Sequence, residues 1–131
     1  MKKLLLTLIL ALVNTTVMAE WARVPGGEDA AFVVYTDSTT IRKAGNRVKM
    51  WDLRDYYKTA QKITGVKYLS TKNHTEYDCK EEQVRVLSAV LYSGKMGSGK
   101  AVKEFSDPDK WRPVPPDSLK AALWKIACDK K

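Results

Sequence analysis

Histidine and cysteine are scarce in this chain of 131 residues: one histidine, His74, and two cysteines, Cys79 and Cys128. A Ser-His-Asp or Cys-His nucleophile would have to be built on that single imidazole. His74 and Cys79 are separated by an odd number of positions, so on an extended strand they point to opposite faces. A metal centre needs converging ligands, and Glu76 and Asp78, which share the parity of His74, read with it as an ordinary solvated strand surface. Nothing singles out a carboxylate pair of the kind that cleaves glycosides. No catalytic residue, metal ligand or cofactor site is expected, and the chain is not expected to be an enzyme.

Runs of like charge are also missing. The formal net charge is +8, yet Lys and Arg are interspersed with Asp and Glu, so no dedicated nucleic-acid patch is expected. The basic balance is still compatible with an anionic partner such as a polyanionic polysaccharide.

Long apolar runs are absent save Leu4 to Val13, which is about half of the ~20 residues a membrane span needs. Lys2 and Lys3 precede it, Asn14-Thr15-Thr16 follow, and Val17-Met18-Ala19 places small or medium residues before a cleavage point. That is the layout of a secretory signal peptide removed after Ala19. No cysteine follows the apolar run as a lipoprotein leader would require. The expectation is a cleaved leader over residues 1–19 and a single exported domain over 20–131, periplasmic or secreted, with no membrane span in the mature chain. Two cysteines in an exported chain most simply form one disulfide, Cys79–Cys128.

The richest β-forming stretch is Glu76 to Ser93. Within it Val84, Val86, Val90 and Tyr92 share one parity and Leu87, Ala89 and Leu91 the other, the pattern of a central strand covered on both faces. Before it, a short strand is expected from Glu20 to Val24, ended by Pro25-Gly26-Gly27. Phe32–Tyr35 forms the next strand, and Asp37–Thr40 supplies turn chemistry before Ile41-Arg42-Lys43. Ala44-Gly45-Asn46 reads as a tight hairpin into a strand from Arg47 to about Lys58. The apolar phase of that strand switches at Met50-Trp51, which predicts a bulge or a crossing there.

Residues 58–65 read as a loop and Val66–Cys79 as an extended stretch. The part from Ser70 to Glu76 is polar enough to predict a sheet edge. Ala101–Phe105 is the last strand, and Trp111 to Pro116 is stiffened by proline. A helix should begin at Asp117-Ser118. Leu119, Ala122, Leu123, Ile126 and Ala127 form its apolar stripe, with Trp124 and Cys128 outside it. Either the helix lies in a groove, or its last turn unwinds so that Cys128 reaches Cys79.

Gly94-Lys95-Met96-Gly97-Ser98-Gly99-Lys100-Ala101 imitates the glycine and lysine spacing of a phosphate-binding loop. Ala101 stands where the magnesium-binding hydroxyl belongs, and a strand rather than a helix follows, so a flexible hairpin is expected. The tryptophans Trp51, Trp111 and Trp124 are expected to pack in the core or at its edge.

With these residues placed, the chain resembles the surface-adhesin protein E family. The similar features are Trp21; Tyr35-Thr36-Asp37 with Thr40-Ile41; Gly45-Asn46-Arg47-Val48 with Trp51; Tyr68 and Ser70; Glu76-Tyr77-Asp78-Cys79; Arg85; Tyr92-Ser93; Trp111-Arg112-Pro113; Pro116-Asp117-Ser118; and Ala127-Cys128. The resemblance implies an α+β fold, an antiparallel sheet of about six strands with a C-terminal helix packed on it. It also implies that such a domain can pair with a second copy. The functional expectation is a non-enzymatic surface that contacts an envelope or host extracellular protein. Lys72 and His74 on the polar strand and Lys95 on the glycine loop are the expected contact residues. A periplasmic module for a small ligand or polysaccharide, using the aromatic residues, is the alternative.

Overall fold

The computed structural model describes residues 19–58, 61–63 and 65–129. Of the expected leader, residues 1–19, all but Ala19 lie outside them. The strands are β1 (Ala22–Glu28), β2 (Phe32–Ala44), β3 (Arg47–Tyr56), β4 (Gln61–Ile63), β5 (Val66–Tyr68), β6 (Ser70–Asp78), β7 (Gln83–Tyr92), β8 (Ala101–Phe105) and β9 (Arg112–Pro113). The single α-helix among the described residues, α1, spans Leu119–Asp129, and one short 3-10 turn covers Lys95–Gly97. The main sheet is antiparallel in the order β1-β2-β3-β6-β7-β8, with β9 also paired to β7, and β4 and β5 form a separate ribbon. This is the expected α+β architecture of a sheet, a C-terminal helix and one disulfide.

Local chemistry explains most of the boundaries. Gly45, at φ +62, allows the two-residue turn that joins Ala44 to its partner Arg47. Ser118 caps α1: its Oγ accepts the N–H of Ala121 at 3.1 Å. Pro25-Gly26-Gly27 does not end β1. It forms an irregularity within the edge strand, between Arg23 and Glu28, a place where a missing N–H does no damage.

Further expectations are corrected. The first concerns β6, which is no edge: it lies between β3 and β7, and Ser70, Thr71, Thr75, Glu76 and Tyr77 are buried. Ser70, Thr75 and Glu76 tolerate burial because they find partners on neighbouring elements, and a satisfied polar group loses little on leaving water. The second concerns the bulge expected at Met50-Trp51. β3 pairs with β6 without a break from Arg47 to Asp55, and the irregularity lies opposite, in β2, between Asp37 and Arg42. The turn chemistry of Asp37–Thr40 is spent inside a continuous strand. The third concerns β7, which is less enclosed than its composition suggests. Val84 and Leu91 are buried, whereas Val86 is 38% exposed. A one-residue bulge at Leu87 interrupts its pairing with β6, and β8 and β9 each cover only part of its length. In the 58–65 region, a short strand, β4, replaces part of the expected loop.

The two faces of the sheet differ. On one face Val34, Val48, Met50, Tyr77 and Val84 pack with Leu123 and Ala127 of α1. A smaller cluster of Tyr56 and Leu91 is sealed by Tyr68 from β5. α1 stays helical through Asp129, so its broad apolar surface sits against the sheet, as in the first of the two expected alternatives. Trp124 reaches the β6–β7 turn, where Nε1 donates to the Asp78 carbonyl at 3.0 Å. Beside it Cys79 and Cys128 form the disulfide, with Cα atoms 5.7 Å apart and 49 positions between them in sequence.

Candidate functional site

The helix-covered face holds a small cavity of about 160 Å³, lined by Val84, Val86 and Leu123 and by the polar groups of Asp52, Arg54, Asn73, Thr75, Tyr77 and Lys120. Asp52 is buried and accepts hydrogen bonds from Asn73 Nδ2 (3.0 Å) and Thr75 Oγ1 (3.2 Å). Burial pushes its carboxyl pKa up, against the opposing pull of Asn73, the charge of Arg54, and Thr75. The Tyr77 hydroxyl and Arg54 Nε are buried with no hydrogen-bond partner. Burial, and then the charge of Asp52, hold the Tyr77 phenol well above its ordinary value. No nucleophile and base are brought together here. Among the described residues no group of three His, Cys, Asp or Glu is placed to hold a metal ion.

Among the described residues no α-helix packs on the opposite face, and its side chains follow from strand parity. The register pairs Trp51 with His74, Leu53 with Lys72, Lys72 with Val90, and Ser70 with Tyr92, so these residues project to the same side. Trp51 and His74 stack with ring centroids 4.6 Å apart and planes 8° apart. The Lys72 ammonium lies 5.1 Å from the Tyr92 ring centroid and 6.0 Å from that of Trp21, within reach of cation–π attraction. Trp21, Trp51, Lys72, Val90 and Tyr92, with Asp37 and Thr40, line a groove of about 320 Å³. Burial, and then the charge of Lys49, lower the His74 pKa, with Glu76 opposing.

At one end of this face, Trp111 receives two cations, the Arg85 guanidinium at 4.6 Å and that of Arg47 at 5.3 Å from its ring centroid. Arg85 also pairs with the buried Glu76 at 2.8 Å, which fixes the guanidinium over the ring. At the other end the glycine loop closes over the sheet. Lys95 pairs with Asp55 at 3.2 Å and donates to the Tyr56 carbonyl. The Met96 N–H reaches Asp55 Oδ1 at 2.7 Å, and the Gly97 N–H reaches Ser70 Oγ at 2.8 Å. Gly97 has φ +71, and a Cβ there would lie 2.5 Å from Lys72 Cε, so the loop touches the lysine stem. This loop is a hairpin between antiparallel strands, as expected, but a pinned one.

Of the three expected contact residues, Lys72 and His74 therefore share the open face, while Lys95 is engaged in holding the loop down. Lys72 reaches that face from an interior strand and not from a sheet edge. Sequence reasoning missed the ring of aromatics around Lys72. Sequence spacing places Trp51 in packing and Trp21 in a short strand, and only strand order brings them beside Tyr92.

A protein-family model described as surface-adhesin protein E matches residues 21–129. Three solved structures of protein E from Haemophilus influenzae share the fold. The selenomethionine form superposes with a TM-score of 0.65 at 15% identity, covering 88% of this chain and 90% of the other. Crystal form II gives 0.59 at 15% identity, covering 85% and 97%, and a further structure gives 0.58 at 15% identity, covering 83% and 92%. No curated protein matches the chain.

Proposed function

From membership of the surface-adhesin protein E family, to which this chain belongs, we propose that its open sheet face is a docking surface for an envelope or host extracellular protein. The domain is non-enzymatic and resembles surface-adhesin protein E, consistent with adhesion or envelope contact. The family is consistent with a place outside the cytoplasm, and no described helix is long and apolar enough to cross a membrane. Action in the periplasm or after secretion, following removal of residues 1–19 from a domain over 20–131, belongs to this reading.

The observation that carries it is the strip running from Trp21 through Lys72 and Tyr92 to the Trp51–His74 stack, partly exposed and not covered by α1. Tryptophan and tyrosine are among the residues that concentrate binding energy at protein contacts, and a lysine between them adds charge complementarity. Lys72→Glu places a carboxylate among rings whose faces repel it. Capture of partner protein from an envelope extract, or on immobilised matrix protein, is expected to fall at least about tenfold, a loss of roughly 1.4 kcal/mol. The melting temperature should stay unchanged, and Lys125→Glu on the exposed side of α1 should capture as the parent does. Equal capture by all three proteins would refute the assignment.

The aromatic-lined groove supports one second reading, a small-ligand or polysaccharide site, since ligand sites are concave and apolar with a few polar groups. A thermal-shift response to acidic oligosaccharides, lost in Lys72→Glu, would favour it over a protein partner. A second copy of the chain is a further occupant, distinguished by sedimentation.

A further inference from the structure

Asp37 is 3% exposed, and none of the four ion pairs among the described residues includes it. A carboxylate so far from water ordinarily finds a cation. Its oxygens are nevertheless occupied: Oδ1 accepts the Thr39 N–H at 3.0 Å and the Thr39 hydroxyl, and Oδ2 accepts the N–H of Glu20 at 3.0 Å. In the uncleaved chain that last donor is a neutral amide. It is also the nitrogen that becomes the chain terminus if the leader is removed after Ala19.

We propose that processing between Ala19 and Glu20 supplies Asp37 with its missing cation, the freed α-ammonium of Glu20, and that this ion pair anchors the wall of the aromatic groove. The proposal rests on reading residues 1–19 as a leader. Hydrolysis of the Ala19–Glu20 bond by a signal peptidase consumes one water, leaving a carboxylate on Ala19 and, at neutral pH, an ammonium on Glu20. The donor is already in place, so cleavage changes its charge without requiring it to move. A charge-assisted hydrogen bond is roughly twice as strong as a neutral one.

The consequence reaches the site through the β2 irregularity. The Asp37 carbonyl accepts the Thr40 hydroxyl at 2.6 Å, and Thr40 Oγ1 in turn accepts the Trp51 N–H at 3.0 Å. Trp51 is the ring that stacks on His74. Ala19 itself lines the groove beside Trp21, so its departure opens the mouth while the new terminus braces the wall. With the Asp37 charge neutralised by the terminus, Lys72 is left as the groove's uncompensated charge.

The test is a double-mutant cycle on chains prepared to begin at Glu20. Acetylating the terminus, or placing Gly-Ser before it, is expected to lower the melting temperature by roughly 4 °C, the scale for a domain of this size. The same capping should have almost no effect in the Asp37→Asn protein. No loss on capping, or equal losses in both proteins, overturns the ion pair. If Asp37→Asn does not fold, the rate of α-amine acylation at neutral pH decides. Labelling slower in the folded parent than in urea supports the pair, and equal rates overturn it. The intact mass of the exported protein is read separately: any first residue other than Glu20 overturns the maturation step, whatever the prepared chains do.

Discussion

His74 reports on the open face because no second imidazole obscures it. Burial and the Lys49 charge both disfavour its protonated form in the folded protein, so its pKa lies below the ordinary 6.5. Between those two values the unfolded chain binds the extra proton, so stability rises with pH across that window. The contribution is complete above the unfolded value and is lost as pH falls through the folded one. A proton-NMR titration should give a single imidazole midpoint below 6.5, and His74→Gln should flatten the stability–pH curve there. A midpoint at or above 6.5 would mean that the ring is not held against Trp51.

The elements differ in how readily they can be read from the chain, and the difference has a physical cause. Helix α1 is legible because its signals are local: Ser118 caps it and its apolar positions recur at helical spacing. The Gly45 turn is equally local. Strand β6 is not, because Asn73 and Thr75 are satisfied by Asp52 of β3, and Glu76 by Arg85 of β7. Those partners are distant in sequence, so polarity alone reads as exposure. The groove is hidden for the same reason: Trp21, Trp51, Lys72 and Tyr92 come from four separate segments.

The Cys79–Cys128 bridge joins the end of β6 to the last turn of α1, and it was legible from the cysteine count read together with a leader-like N-terminus. Replacing both cysteines with alanine should cost about 2–4 kcal/mol, measured by urea denaturation. The loss of α1 docking should expose Tyr77 and Leu123 before the β3–β6 pairing fails. A loss well below 1 kcal/mol would show that apolar packing alone holds the helix.

At the scale of the whole molecule, the sheet divides the labour between its faces. One is closed by α1 and by Tyr68 of β5 and provides the core; the other, with no α-helix over it among the described residues, carries rings and cations at its centre. The glycine loop at one end and the Trp111 cluster at the other bound that surface. Fold class and disulfide were within reach of the sequence, whereas the shape of the open face required strand order. The most direct test is site-specific photo-crosslinking in intact cells, with a photoreactive phenylalanine analogue placed at Tyr92 in one protein and at Lys125 in another. The account predicts protein adducts from position 92 and none from position 125. Adducts from the helix position, or none from the open face, would contradict it.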